Sequence, residues 1–111
     1  MGDGVMRYRV MRLMVFFYLP TLTAIDRKNY RLFRKSLLNE GFLMIQESIY
    51  VRVAMNKQSA EFLEKRLQKV APSDGIIQTL IVTEKQYASM KFLTGESSRD
   101  IRNSDERLII I

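Results

Sequence analysis

The sequence contains no cysteine and no histidine. That excludes a disulfide, thiol chemistry, a zinc site of the usual ligand types and a histidine base. Any catalysis has to come from carboxylates, tyrosine, serine, threonine or lysine. No apolar run reaches the roughly 18 residues that a membrane-crossing helix needs. The longest, residues 13–19, has the length of a strand. Residues 1–5, MGDGV, lack the long apolar core of a signal peptide, which reads as a cytoplasmic protein with no membrane association. They are set aside from the fold as an addition or an alternative start.

Acidic residues are scarce in about a quarter of the chain, residues 7–35. Residues 7–35 hold eight cations, Arg7, Arg9, Arg12, Arg27, Lys28, Arg31, Arg34 and Lys35, against the single acid Asp26. The net charge is +6 and the isoelectric point near 9.8, yet the remainder is close to balanced. Clustered positive charge is the electrostatic footprint of a nucleic-acid binder. The plainer reading is a solvated face that keeps the protein soluble.

At 111 residues the chain is one domain with a modest core. Met11–Tyr18 is apolar at nearly every position and rich in Val, Phe and Leu, which predicts a central strand ended by Pro20. Thr23 and Asp26 form an approximate capping box that opens a helix running to about Gly41. Tyr30, Phe33, Leu37 and Leu38 form its buried stripe, while Arg27, Arg31, Arg34 and Lys35 make a basic ridge on another face. Residues 42–45 and 49–55 read as two more strands, and Ser59 as the cap of a second helix. That helix reaches Val70, burying Ala60, Leu63, Leu67 and Val70, with Glu61 placed to pair with Lys65. A fourth strand spans residues 76–83, and residues 85–93 contain a short fifth. Residues 95–107 are polar and lead to an apolar end, LIII.

The order strand–helix–strand–strand–helix–strand is an α+β, ferredoxin-like arrangement. The expected domain is residues 11–93, preceded by an extension at 1–10 and followed by a polar linker and apolar strand at 94–111. Both helices then lie on one face of an antiparallel sheet, and the other face should alternate polar with apolar residues. The first strand does not: Met11, Leu13, Val15 and Phe17 point one way, Met14 and Phe16 the other. With no further helix expected, a second copy of the chain is the economical cover.

The strand ending FFYLPT, the helix RKNYRLFRKSLLNEG and the run GFLMIQESIYVRV resemble CRISPR-associated protein two over about residues 11–90. Gly41-Phe42 followed by Gln46, Ser48 and Tyr50 match that family's glycine-then-Gln-x-Ser-x-aromatic pattern, and SDGIIQTLIVTEKQY is similar to its fourth strand and extension. The resemblance implies a homodimer with sheets packed face to face. It implies that this dimer bridges dimers of the large CRISPR integrase subunit during spacer acquisition, with duplex prespacer DNA across the assembly. It also implies, for some members, Mg²⁺-dependent nuclease activity tied to an Asp at the end of the first strand.

Tyr18 stands at the place of that Asp. Magnesium takes hard, anionic oxygens, and a phenol with an ordinary pKa of about 10 is neutral at pH 7. Asp26, Glu47 and Asp74 are the nearest acids in sequence, and their spacing assembles no replacement site. No catalytic residue, no metal ligand and no cofactor are therefore expected, and the Tyr18 ring is expected to pack with its hydroxyl at a rim. The function expected is a DNA-binding scaffold of the integrase complex. Phosphate contacts are assigned to Arg12, Arg27, Lys28, Arg31, Arg34 and Lys35, and partner docking by strand addition to Leu108, Ile109, Ile110 and Ile111. A metal-dependent endonuclease acting on DNA or RNA is the alternative. A ferredoxin-like single-strand RNA binder comes last, because the third strand lacks the glycine-aromatic signature of such modules.

Overall fold

The computed structural model describes residues 9–96. Strands β1 (Met11–Tyr18), β2 (Leu43–Gln46), β3 (Ile49–Ala54) and β4 (Ile76–Thr83) form one sheet in the order β2-β3-β1-β4. Each neighbouring pair is antiparallel. Helix α1 (Ala24–Asn39) joins β1 to β2, and α2 (Lys57–Val70) joins β3 to β4. This is the expected ferredoxin-like α+β fold.

The register explains the placement of side chains. Leu13, Val15 and Phe17 of β1 turn toward the helices and pack with Phe33 and Leu37 of α1 and Leu63 and Leu67 of α2. Tyr50 and Ala54 of β3, cross-strand partners of Val15 and Met11, join the same core. Phe17 meets Phe33 edge-on at 5.4 Å between centroids. Burial of this cluster is what holds two individually marginal amphipathic helices on the sheet.

The start of α1 is as expected. Thr23 Oγ1 accepts from the Asp26 N–H at 3.0 Å, and the Thr23 N–H donates to Asp26 Oδ2 at 3.1 Å. Gly41 follows the C-cap with φ of +88°, the left-handed geometry that glycine adopts at least cost.

Four local expectations are corrected. The cap of α2 is Asn56, whose Oδ1 accepts from the Ser59 N–H at 2.8 Å; Ser59 lies inside the first turn. Val70 and Leu38 are exposed: Leu38 is turned by about 100° from fully buried Leu37, off the buried stripe, and Val70 is the last residue of its helix. Glu61 and Lys65 form no ion pair, as expected for two solvated side chains with little to hold them together. The fifth strand is a helix, α3 (Glu84–Ala88). A second capping box sets it: the Gln86 N–H donates to Thr83 Oγ1 at 3.0 Å and the Thr83 N–H to Gln86 Oε1 at 2.8 Å. Satisfying two orphan donors at the end of β4 stops the ladder and turns the chain.

That helix changes the account of the sheet's second face. Arg12, on the face away from α1 and α2, donates to Glu84, and its guanidinium lies 4.5 Å from the centre of the Tyr87 ring. The chain therefore supplies part of the cover itself. Tyr18 and its partner Ile76, with Leu80 opposite Met14, still leave apolar surface open there.

Candidate nucleic-acid interface

Helix α1 carries the charge. At 3.6 residues per turn, Arg34, Arg27, Arg31, Lys35 and Lys28 follow one another around its outer side, opposite buried Phe33 and Leu37. The five cations are exposed and contiguous. They differ in freedom. Arg27 donates to the carbonyls of Thr21 at 3.3 Å and Leu22 at 3.0 Å, bracing the loop after β1. Arg34 Nε donates to the Tyr50 hydroxyl at 2.9 Å, which leaves the outer nitrogens of its guanidinium available. Lys28, Arg31 and Lys35 have no side-chain hydrogen bond or ion pair among the described residues. Arg12 stands apart from this ridge, on the other face of the sheet. Its hydrogen bond to Glu84 raises its pKa against the opposing effect of burial.

A second cationic pair is invisible in the sequence. Glu40, at the C-cap of α1, accepts from Arg66 Nη2 at 2.7 Å and lies 4.0 Å from Arg52 Nη1. One carboxylate thus faces two arginines from α2 and β3. The 26-residue separation of Glu40 from Arg66 carries no periodic signal that pattern reading could use.

Beside the ridge lies a cleft of about 690 Å³ lined by Tyr30 and Arg34 of α1, Met44 and Gln46 of β2, Glu47, and Phe92 and Glu96 beyond α3. Burial pushes the Tyr30 phenol above its ordinary pKa. Nearby Tyr50 and Glu47 add to the rise and Arg34 opposes it. The hydroxyl is neutral and able to donate at neutral pH.

At the end of β1, Tyr18 is 68% exposed and points to the sheet face away from α1 and α2. The expectation of a packed ring is therefore corrected: within one chain nothing covers it, because β4 presents only Ile76 beside it. Asp26 and Asp74 both line a narrow cleft beside Leu19 and Pro20. Asp26 is already committed to the Thr23 N–H there. Glu47 lies elsewhere, in the Tyr30–Arg34 cleft. Among the described residues no three acids converge as a metal-binding group. A phenol in the place of a carboxylate does not fit Mg²⁺, which demands anionic oxygens in near-octahedral array.

Residues 11–90 match the family described as CRISPR associated protein Cas2. The chain belongs to the Cas2 family. It is 58% identical over 101 residues to the CRISPR-associated endoribonuclease Cas2 of Ligilactobacillus salivarius, covering 91% of this chain and 100% of that one. It is 55% identical to the protein of the same name from Lacticaseibacillus rhamnosus and 43% to that from Treponema denticola, with the same coverage. The Cas2 resemblance carried by FFYLPT and by Gln46-x-Ser48-x-Tyr50 is thereby established. Its pattern also has a structural sense, since Tyr50 is the buried aromatic whose hydroxyl anchors Arg34. The apolar end at residues 108–111 lies outside the described residues, as do residues 1–8 of the expected extension at 1–10. No helix among the described residues is long and apolar enough to cross a membrane.

Proposed function

We propose that this Cas2 protein is a non-catalytic, DNA-binding scaffold of the cytoplasmic CRISPR adaptation complex. A homodimer bridges dimers of the large integrase subunit and holds duplex prespacer DNA. The observation that carries this reading is the α1 ridge, where Lys28, Arg31 and Lys35 are exposed with no competing partner among the described residues. Phosphates recognise such a surface without reading sequence. Arg27 and Arg34 belong to the same ridge and contribute charge while bracing the fold. Arg12 is assigned to the fold, through Glu84 and Tyr87.

The dimer reading rests on the exposed apolar side chains of the sheet's second face. Tyr18 and Ile76 are paired there, Leu80 lies further along the same face, and a second copy would bury them. Leu108, Ile109, Ile110 and Ile111 are the proposed docking strand for the large subunit or the second copy, by addition to a sheet edge.

A metal-dependent endonuclease is the second reading. It is favoured by the name that the relatives share, CRISPR-associated endoribonuclease Cas2. It is opposed by the phenol at the strand end and by the absence of converging acids among the described residues. One preparation separates the two. The protein is co-expressed with the large integrase subunit, tested for co-purification, and then incubated with Mg²⁺ and labelled duplex DNA or RNA beside an EDTA control. The scaffold reading expects a stable complex that binds duplex and leaves both nucleic acids intact. Chelator-sensitive cleavage by contaminant-free protein would favour the nuclease.

A further inference from the structure

The ridge accounts for phosphates; it leaves the neighbouring cleft unexplained. Tyr30 and Arg34 are one turn apart on α1, so the helix that displays the cations also forms one wall of the cleft. Met44 and Gln46 of β2 line the same cleft, as does Phe92, which is 59% exposed. Its volume lies in the range of small-ligand sites, roughly 300–1,000 Å³.

The lining is selective. Glu47 and Glu96 repel a phosphate, so an anion entering the region is better placed on Lys28, Arg31 and Lys35 than inside. The same carboxylates and the Gln46 carbonyl accept hydrogen bonds, which suits a planar group that carries amino donors. Phe92 and Met44 offer apolar surface for its faces. The Tyr30 hydroxyl and the free guanidinium nitrogens of Arg34 supply donors at the edge.

We propose that this cleft accepts one unstacked nucleobase of a strand whose phosphates lie on the α1 ridge. The protein then recognises a nucleic acid with an unpaired end or flap rather than duplex alone. This rests on the nucleic-acid reading above and adds a preference to it. Cytosine and adenine, with exocyclic amines, fit the acceptor set; thymine, which has none, fits it worst. Phe92 is the stacking platform, a contact that is tolerant of sequence but lost on truncation.

The test is fluorescence anisotropy with the full chain and a labelled duplex in four forms. One is blunt, one carries a single-stranded end of deoxycytidines, one an end of thymidines and one an end of ribocytidines. The intact protein should bind the deoxycytidine-ended duplex more tightly than the blunt or thymidine-ended ones. The ribocytidine arm shows whether an RNA end is served as well. Phe92→Ala should weaken binding to the amine-bearing ends roughly tenfold, the scale of one lost base–aromatic stack, and leave the blunt duplex unchanged. Phe92→Tyr should restore the preference. Equal affinity of the intact protein for all four probes would overturn the proposal. So would a Phe92→Ala variant that weakens blunt and ended probes alike. The triple variant Lys28→Ala, Arg31→Ala, Lys35→Ala tests the underlying reading separately: unchanged blunt-duplex affinity there would remove the ridge itself as a nucleic-acid site.

Discussion

Arg12 and Glu84 are 72 residues apart in sequence and share two hydrogen bonds, Nε to Oε2 at 2.5 Å and Nη2 to Oε1 at 3.1 Å. This two-point contact ties the first residue of α3 to the middle strand pair of the sheet. It also commits two of the three guanidinium nitrogens of Arg12 to the fold. The pair is partly solvated, with side-chain exposures of 27% and 45%, which limits its net worth to about 1 kcal/mol. Arg12→Ala should therefore lower stability by about that amount, with part of the loss coming from the Tyr87 contact. It should leave the salt dependence of DNA affinity unchanged. Denaturant unfolding and a salt titration of the same variant check both halves.

Gly75 opens β4 with φ of +98°, and a Cβ there would lie 2.5 Å from the Tyr18 carbonyl oxygen and 2.7 Å from Leu19 Cδ2. The backbone conformation alone costs a non-glycine residue about 1–3 kcal/mol, and the clash with main chain adds to it. Gly75→Ala should lower the melting temperature by several degrees or more. A thermal melt indistinguishable from that of the intact protein would contradict this packing of the turn against the end of β1.

For the ridge, each phosphate contact removed should reduce the slope of log affinity against log salt by roughly 0.9 on duplex DNA. Arg31→Ala and Lys35→Ala should each do so, with similar loss on unrelated sequences, since phosphates carry no base information. Arg27→Ala should in addition cost stability, because it removes the braces to the Thr21 and Leu22 carbonyls. Binding isotherms across a salt series measure the slopes directly.

Tyr18→Asp places an anionic oxygen at the strand end. In the proposed dimer it would bring two carboxylates near the twofold axis, where like charges repel and one pKa rises unless a cation lies between them. That variant should melt lower in EDTA than the intact protein and recover with Mg²⁺, whereas the intact protein should show no Mg²⁺-dependent shift. Calorimetry with and without the cation checks it. A Mg²⁺ response in the intact protein would speak against the donor-set argument.

Much of the fold was legible because its signals are local. The apolar run at 11–18, the Thr23–Asp26 box and the glycine at 41 each act within a few residues, and each is found where expected. The same chemistry at Thr83 and Gln86 was as local, yet the preceding β-branched run masked it and a strand was expected instead. The cap of α2 is less legible, because Asn56 and Ser59 are both good capping residues and only the first turn's hydrogen bonding separates them.

The sequence by itself determined the type of each long element, the surplus of cations around α1 and the phenol at the end of β1. Composition and 2.0- or 3.6-residue periodicity are properties of the chain before it folds. Only the tertiary structure decided which cations remain free. Glu84 reaches Arg12, and Glu40 reaches Arg66 and Arg52, through strand register and helix docking that no short window encodes. The cleft of Tyr30, Gln46 and Phe92 likewise exists only once a helix, an edge strand and the segment after α3 converge. Ion pairs and cavities are set by distances between elements, and those distances follow from packing the core.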